Sequence, residues 1–234
     1  MPENNILKFS YTFESVEGNN KKFEINIDPQ ALEVIREQEN NLPEWTKLKS
    51  FKCPHCPLDE DKNEYCPLAI SIRQVLLFFN DVPSYEKTKV TVNAKERQYV
   101  KNVDIQTGVS SLMGIIMPTS GCPILAKLKP LVKFHLPFST IEETEFKVFS
   151  MYLLAQFLKM KNGKEPDWEM KNLNELYNDI LILNQNVAEK ISKIEAMDAG
   201  INAVVILNNF ADSVTFGLDT QDLSHLEGFF KELI

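Results

Sequence analysis

Apolar and polar residues alternate in two short segments near the start of the chain, a pattern typical of half-buried β-strands. The alternating apolar positions are Leu7, Phe9, Tyr11 and Phe13 in the first segment and Phe23, Ile25 and Ile27 in the second. The turn-forming sequence VEGNN lies between them, so we predict an antiparallel hairpin with strands at 6–14 and 22–28. A short helix is predicted at 29–37, and two further strands at 87–93 and 97–103.

Beyond residue 66 the apolar residues recur at intervals of three and four, which predicts amphipathic helices. Five helices are predicted. The first begins after Cys66, the second spans 107–117 and the third follows Ser139. The fourth is a long helix that starts at Asp167 and continues past a bend near Gly200, and the fifth spans 220–233. Ser139 and Glu142 have the spacing of a capping box, which supports a helix start at that point.

Several residues in these helices carry predictions of their own. Pro118 is expected to end the helix at 107–117, and Pro130 is expected to break the apolar segment that follows SGCP. Gly108 and Gly114 are expected to let another backbone segment approach closely. Asn184 on the long helix could line a pocket, but a solvated helix face is the preferred interpretation.

Together these elements predict an α+β fold. It would contain a small N-terminal antiparallel sheet, a cysteine metal site at the junction, and a C-terminal helical part with a long helix. We expect a single domain over 1–234, with a sheet-containing lobe at 1–105 and a helical lobe at 106–234. A chain of 234 residues can bury a full core without covalent help, so its cysteines are not required for folding.

The composition is that of an acidic globular protein. Lysine and arginine number 25 against 33 acidic residues, which gives a formal charge of −8. No run of basic residues interleaved with aromatic ones is present, so a nucleic-acid partner is not expected. The first residues lack the pattern of a signal peptide, and no stretch approaches the roughly 18 apolar residues of a membrane span. We therefore predict a cytoplasmic protein with no membrane partner.

The four cysteines share one local setting, because each is followed by proline. Cys53 and Cys56 form a C-x2-C pair, Cys66 follows nearby, and Cys122 lies far along the chain. Cytoplasmic thiols stay mostly reduced, so clustered cysteines favour metal or redox chemistry over disulfides. We predict that these residues form a four-coordinate metal site. For Cys122 taken alone, a small buried residue before a helix start is the competing interpretation.

The prolines support this prediction in two ways. Proline restricts the preceding cysteine to an extended conformation, which stiffens a loop that must close around an ion. Proline also suits the first position of a helix, so Cys66 and Cys122 are expected at helix N-termini. That position favours the thiolate form of cysteine through the helix dipole and the free backbone amides.

Zinc is the preferred metal, and a [4Fe-4S] cluster is the alternative, because both accept four thiolates. His135 is the alternative fourth ligand to Cys122. His55, inside the C-x2-C loop, is expected to point away from the metal, and His225 is expected on the surface. A thiolate-ligated haem has no further support in the chain.

His135 also heads the candidates for catalysis. It precedes a helix that begins with Glu142 and Glu143, so a general base with a carboxylate neighbour is one interpretation. A hydrogen-bonded core histidine, with acids that suit the helix dipole, is the competing one. The chain contains no nucleophile elbow, phosphate-binding loop or zinc-protease motif.

The segments FKCPHCPL, YCPLA, SLMGIIMPTSGCP, FHLPF and DAGINAVV resemble those of a bacterial family described as a domain of unknown function. The resemblance covers residues 50–215. It implies that the positions of the four cysteines and of His135 belong to the family motif, which favours a metal site. It implies no activity, substrate or partner.

Three hypotheses about function follow. The first is a cytoplasmic metal-binding protein whose zinc site is structural or responds to redox or metal status. The second is an iron–sulfur redox protein, or a metal-dependent enzyme that uses His135 with Glu142 or Glu143. The third is an interaction module, in which the helices at 168–214 pack against a partner or a second copy of the chain.

Overall fold

The protein has an α+β fold, which confirms the predicted class. A computed structural model describes residues 6–14, 20–36, 41–194 and 198–233. The N-terminal part forms a five-stranded antiparallel sheet, and the C-terminal part is helical. Buried residues from the sheet and from the helices belong to one continuous hydrophobic core.

The sheet has the strand order β3-β2-β1-β4-β5. Its strands are β1 (Leu7–Glu14), β2 (Asn20–Asp28), β3 (Glu33–Val34), β4 (Lys87–Asn93) and β5 (Gln98–Asp104). The central strand β1 pairs with β2 and β4, so that Tyr11 lies between Phe23 and Val92. The predicted hairpin and the later strand pair are confirmed, while nearly all of the predicted VEGNN turn lies outside the described residues.

Eight α-helices follow or interrupt the strands in the described ranges. They are α1 (Leu48–Phe51), α2 (Pro67–Phe78), α3 (Ile105–Thr119), α4 (Lys129–Lys133), α5 (Ile141–Lys161), α6 (Lys171–Ser192), α7 (Asp198–Thr220) and α8 (Ser224–Glu227). Short 3-10 helices span Glu44–Thr46, Leu125–Leu128 and Gly228–Phe230.

Helix α3 joins the two parts of the fold. It contacts β1, β4 and β5 on the sheet side and α2 and α7 on the helical side. Gly108 makes the sheet contact possible, because a Cβ at this position would lie 2.5 Å from Cε1 of Phe13 and 3.0 Å from Cγ2 of Val90. Gly200 likewise allows α7 to approach α2 closely, since a Cβ there would overlap the side chain of Leu76 on α2. The close approach predicted for Gly108 is confirmed, whereas Gly114 has no comparable contact.

The predicted helix at 29–37 is wrong. The carboxylate of Asp28 accepts hydrogen bonds from the backbone N–H groups of Gln30 at 2.9 Å and Ala31 at 2.7 Å. These bonds form a tight turn, in which Leu32 adopts a positive φ of 50°. The chain reverses there, and β3 pairs with the end of β2.

Several helix boundaries also differ from the sequence predictions. The capping box of α5 is formed by Thr140 and Glu143, one residue later than the predicted pair. Pro118 lies inside α3, and Pro130 lies in the first turn of α4, where its missing N–H is tolerated. The predicted helix at 220–233 is instead split into α8 and a 3-10 turn.

Helix α7 has the length and composition of a membrane-crossing helix, which the sequence analysis did not expect. Among the described residues it is the one helix with these properties, with a mean hydropathy of 1.2 over 18 residues. It packs against α2, α3, α5 and α6, as a central helix of a helical layer does. The absence of a membrane partner stays a prediction.

We expect Gly108→Ala to lower the free energy of unfolding by about 1–3 kcal/mol, because the added methyl group would push against the Phe13 ring and Val90. Gly114→Ala on the same helix is the matched control, since its Cβ would meet Cε1 of His135 at 4.0 Å, an ordinary contact. Urea unfolding of both variants measures the difference. Equal stability of the two variants would contradict the proposed role of Gly108.

Candidate functional site

The structure brings the four cysteines together from distant parts of the chain. Cys53 and Cys56 lie in the loop after α1, Cys66 is the N-cap of α2, and Cys122 follows α3. All four carry free thiols, and Cys53, Cys66 and Cys122 are each 7 % exposed. The charges of neighbouring cysteine thiolates, that of Cys56 included, would raise the pKa of Cys53, Cys66 and Cys122, so the four sulfur atoms are close neighbours.

Backbone contacts between two loops fix the first three cysteines. The N–H of Cys66 donates to the carbonyl of Thr46 at 2.9 Å, and the N–H of Leu48 donates to the backbone carbonyl of Glu64 at 2.9 Å. The N–H of Cys56 donates to the carbonyl of Cys53 at 3.0 Å, which closes the C-x2-C loop as a tight turn. These contacts place the C-x2-C pair beside the start of α2.

Lys190 on α6 ties the cysteine loop to the helical layer. Its ammonium group donates to the carbonyls of Ser50 at 3.0 Å and Lys52 at 2.9 Å. Its charge lowers the pKa of the Cys53 thiol, opposite to the effects of burial and of the other cysteines. Lys190 is therefore a cation beside the thiol cluster that the sequence analysis missed, because it is far away along the chain.

Backbone amides point at two of the sulfur atoms, as the helix-start prediction required. The backbone N–H groups of Leu68 and Ala69 lower the pKa of Cys66, although its side chain makes no capping hydrogen bond. The N–H groups of Ile124 and Leu125 lower the pKa of Cys122 in the same way, at the start of a 3-10 helix and not of an α-helix.

Burial nevertheless outweighs these amides. It raises the pKa of Cys53 to about 12 and that of Cys66 to about 11, and it also raises the pKa of Cys122. The backbone amides at the helix N-termini lower the thiol pKa as expected. The predicted net preference for the thiolate is wrong, because burial raises the pKa by more. With these pKa values the three buried groups are thiols at neutral pH.

His55 lies within the C-x2-C loop, and its side chain is partly buried with both ring nitrogens out of contact with solvent. Neither Nδ1 nor Nε2 has a hydrogen-bond partner in the described part of the chain. The nearest charged group is the carboxylate of Asp179 on α6, whose Oδ1 lies 4.0 Å from Nε2. Buried ring nitrogens without a hydrogen-bond partner are costly, so His55 is more than the plain loop residue that the sequence suggested.

The cysteine cluster contains four groups that can bind a metal, but their side chains are not arranged to coordinate one ion. Within residues 6–14, 20–36, 41–194 and 198–233, no group of three or more histidine, cysteine or acidic side chains is arranged to hold a metal ion. The thiol side chains would have to turn toward a common point to coordinate one. The metal ligands therefore stay predictions.

His135 occupies a different place from the thiol cluster. Its Nε2 atom is 2.7 Å from the hydroxyl of Tyr11 on β1, and that hydroxyl is 3.0 Å from the hydroxyl of Ser111 on α3. The ring also packs edge-on against Phe9, with 5.8 Å between ring centroids. Burial, with a smaller effect of Lys147, lowers the pKa of His135 to about 3. His135 is thus a neutral, hydrogen-bonded histidine at the junction of sheet and helices.

The two acidic candidates near His135 lie at the exposed start of α5. The carboxylate of Glu143 accepts a hydrogen bond from the N–H of Thr140 at 2.8 Å, which completes the capping box. Glu142 is exposed in the same turn. Neither carboxylate has a hydrogen bond to His135, so the structure favours helix capping for Glu143 over a catalytic pair.

The buried acid of α5 is Glu145, which the sequence analysis did not single out. It is 4 % exposed, and its Oε2 atom lies 2.6 Å from Nε2 of His225. Its other oxygen accepts a hydrogen bond from Ser213 on α7. His225 is therefore half-exposed and partnered, and no local sequence pattern could link residues so far apart.

A cavity of about 370 Å³ lies between α3, α5, α6 and α7. His135 and Lys147 line it together with Tyr177 and Asn184. Asn184 is 3 % exposed, so the interpretation of a solvated helix face is wrong for this residue. Gly114 also lines the cavity, and its missing side chain leaves space beside His135.

We expect His135 to make folding stability fall in acid. Its pKa is 6.5 ordinarily and about 3 in the folded protein, so between these values the unfolded chain binds a proton that the folded chain does not. The stability contribution is complete above about pH 6.5 and is lost as the pH falls toward 3. His135→Gln should lose less stability than the parent between about pH 7 and pH 4, measured by urea unfolding. Parallel pH profiles for the two proteins would count against this effect.

Almost the whole chain matches a family of undefined function. The match covers residues 7–231, which include the sheet, the four cysteines, His135 and the cavity. It extends beyond the range of 50–215 expected from the sequence motifs. No curated protein and no solved structure matches the chain. The chain therefore belongs to the family described as Domain of unknown function (DUF6901).

Proposed function

We propose that this protein is a cytoplasmic metal-binding protein in which Cys53, Cys56, Cys66 and Cys122 hold one zinc ion. The observation that best supports this proposal is that separate parts of the fold place four free thiols close enough to interact electrostatically. The site would be structural or would respond to redox or metal status. The CPxCPL, CPLA and SGCP segments would then be the ligand-bearing parts of the chain.

The physical argument is that the charge of Lys190 does not offset the burial of the thiols, since the pKa of Cys53 stays raised to about 12. Burial disfavours thiolates, and a divalent cation at the cluster would supply the charge that offsets this cost. Backbone amides already point at the sulfurs of Cys66 and Cys122, as they do around metal-bound thiolates. His55, whose two buried ring nitrogens have no hydrogen-bond partner in the described ranges, would then orient a metal ligand or replace one.

Zinc is preferred over a [4Fe-4S] cluster because the C-x2-C pair forms a tight turn of the kind found in zinc knuckles. Four thiolates suit both groups, so spectroscopy must distinguish them. A cluster would give a visible absorption band that bleaches with dithionite. Zinc would give no such band, and cobalt substitution would then report a tetrahedral thiolate site.

We expect protein purified without oxygen to contain about one zinc per chain by elemental analysis. Cys122→Ser should lower the zinc content strongly, because it removes a ligand. His135→Ala is the matched control, since His135 is bonded to Tyr11, and it should keep the zinc content of the parent. Less than about 0.2 metal per chain in the parent would overturn the proposal. Loss of zinc in His135→Ala with retention in Cys122→Ser would make His135 the fourth ligand.

Metal removal tests whether the site is structural. The cysteines lie in the loop after α1, at the start of α2 and in the segment after α3, so a metal bound to all four would join these segments. Removing a metal that joins these segments should lower the melting temperature by about 5–10 °C, given that 1 kcal/mol corresponds to about 2–4 °C in a domain of this size. Melting before and after treatment with a chelator, with zinc added back, measures this. An unchanged melting temperature would exclude a structural role and leave the sensing role.

The two alternatives have less support. A metal-dependent enzyme that uses His135 with Glu142 or Glu143 requires a carboxylate partner, but Glu143 is held in the capping box. An interaction module through the helices at 168–214 requires free helix faces, but α6 and α7 pack against each other. Measuring the mass of the protein in solution would reveal self-association.

A further inference from the structure

The cavity between α3, α5, α6 and α7 has the size and walls of a small-molecule site. Its volume of about 370 Å³ is in the range of ligand-binding pockets. Apolar side chains form most of its surface. They include Met113, Met117, Leu131, Ile206 and Phe210. These walls would bury the apolar body of a ligand and favour its binding through the hydrophobic effect.

Two polar side chains on α6 line this apolar cavity without partners. Tyr177 is 4 % exposed and Asn184 is 3 % exposed. Neither side chain forms a hydrogen bond with any residue that the structure describes. Their spacing of seven residues places both on one face of α6, two turns apart. The two side chains border the open space of the cavity, where a ligand with hydrogen-bonding atoms would supply their partners.

The charge in the cavity comes from lysine. Lys147 on α5 is partly buried, and it has no ion pair within 4.0 Å in the described ranges. Its charged neighbour Glu143 is hydrogen-bonded to Thr140 at the helix start. Lys101 lies at the cavity as well, on the exposed strand β5.

No acidic side chain in the described part of the chain lines the cavity. His135 contributes no charge, because burial lowers its pKa to about 3. Lysine, tyrosine and asparagine side chains can all donate hydrogen bonds. The cavity thus combines apolar walls, hydrogen-bonding side chains without partners among the described residues, and a lysine without an ion pair within 4.0 Å in the described ranges.

We propose that this cavity binds a small, largely apolar carboxylic acid whose carboxylate pairs with Lys147. The apolar part of the acid lies against the methionine and leucine side chains. Tyr177 and Asn184 donate hydrogen bonds to oxygen atoms of the ligand. This inference does not depend on the proposed metal site, because none of the four cysteines lines the cavity.

The test uses the full chain, with octanoate as the acid and octan-1-ol as a neutral probe of the same length. Calorimetric titration of the parent should give saturable binding of octanoate. Lys147→Met keeps the length and apolar stem of the side chain and removes the charge. It should weaken octanoate binding by about tenfold or more and leave octan-1-ol binding unchanged. Lys133→Met, at an exposed lysine outside the cavity lining, is the matched control and should bind both probes like the parent.

A second variant tests the location. Gly114→Leu places a side chain into the cavity and should abolish binding of both probes, while a melting curve verifies that the variant is folded. The proposal is overturned if the parent shows no saturable octanoate binding, or if Lys147→Met binds octanoate as tightly as the parent. It is also overturned if folded Gly114→Leu retains octanoate binding, since the acid would then bind elsewhere.

Discussion

The contact between α3 and the sheet is the constraint on which the rest of the structure depends. Gly108 lets the helix backbone approach Phe13 and Val90 more closely than any side chain would allow. From this position, α3 brings Ser111 to the buried hydroxyl of Tyr11 and directs Met113 and Met117 into the cavity. Its C-terminal end leads directly to Cys122. The candidate metal site and the cavity therefore take their places from one helix packed against one strand.

Burial has opposite consequences in these two places. At the cysteine cluster it raises the pKa of thiols that also repel one another as thiolates, so the cluster favours a bound cation. At His135 it lowers the pKa and keeps the imidazole neutral, which preserves the hydrogen bond to Tyr11. The neutral histidine leaves Lys147 as the partly buried positive charge of the cavity. Burial thus raises the pKa of an acidic thiol at one place and lowers the pKa of a basic imidazole at the other, and both groups stay neutral at pH 7.

Sequence patterns correctly predicted the elements that bury one face and expose more of the other. The alternation of Phe9, Tyr11 and Phe13 identified β1, and the Cys66–Pro67 pair identified the start of α2, because these signals are local. The segment at 29–37 was wrongly predicted as a helix, since the side chain of Asp28 forms a turn that competes with helix formation. Periodicity could not distinguish Asn184 in a cavity wall from a polar residue on a solvated face. The Glu145–His225 contact depends on tertiary packing, for which a single sequence has no signal.

Leu125 connects the cysteine cluster to the cavity. Its backbone N–H lowers the pKa of the Cys122 thiol, while its side chain lines the cavity wall. A change in the charge of that sulfur would therefore alter its electrostatic interaction with the backbone at the start of the 3-10 helix at Leu125–Leu128. Leu128 lines the cavity too, so this segment contributes two wall residues. A ligand bound to the Cys122 sulfur would therefore act next to two residues of the cavity wall, and this segment would couple the binding free energies of the two sites.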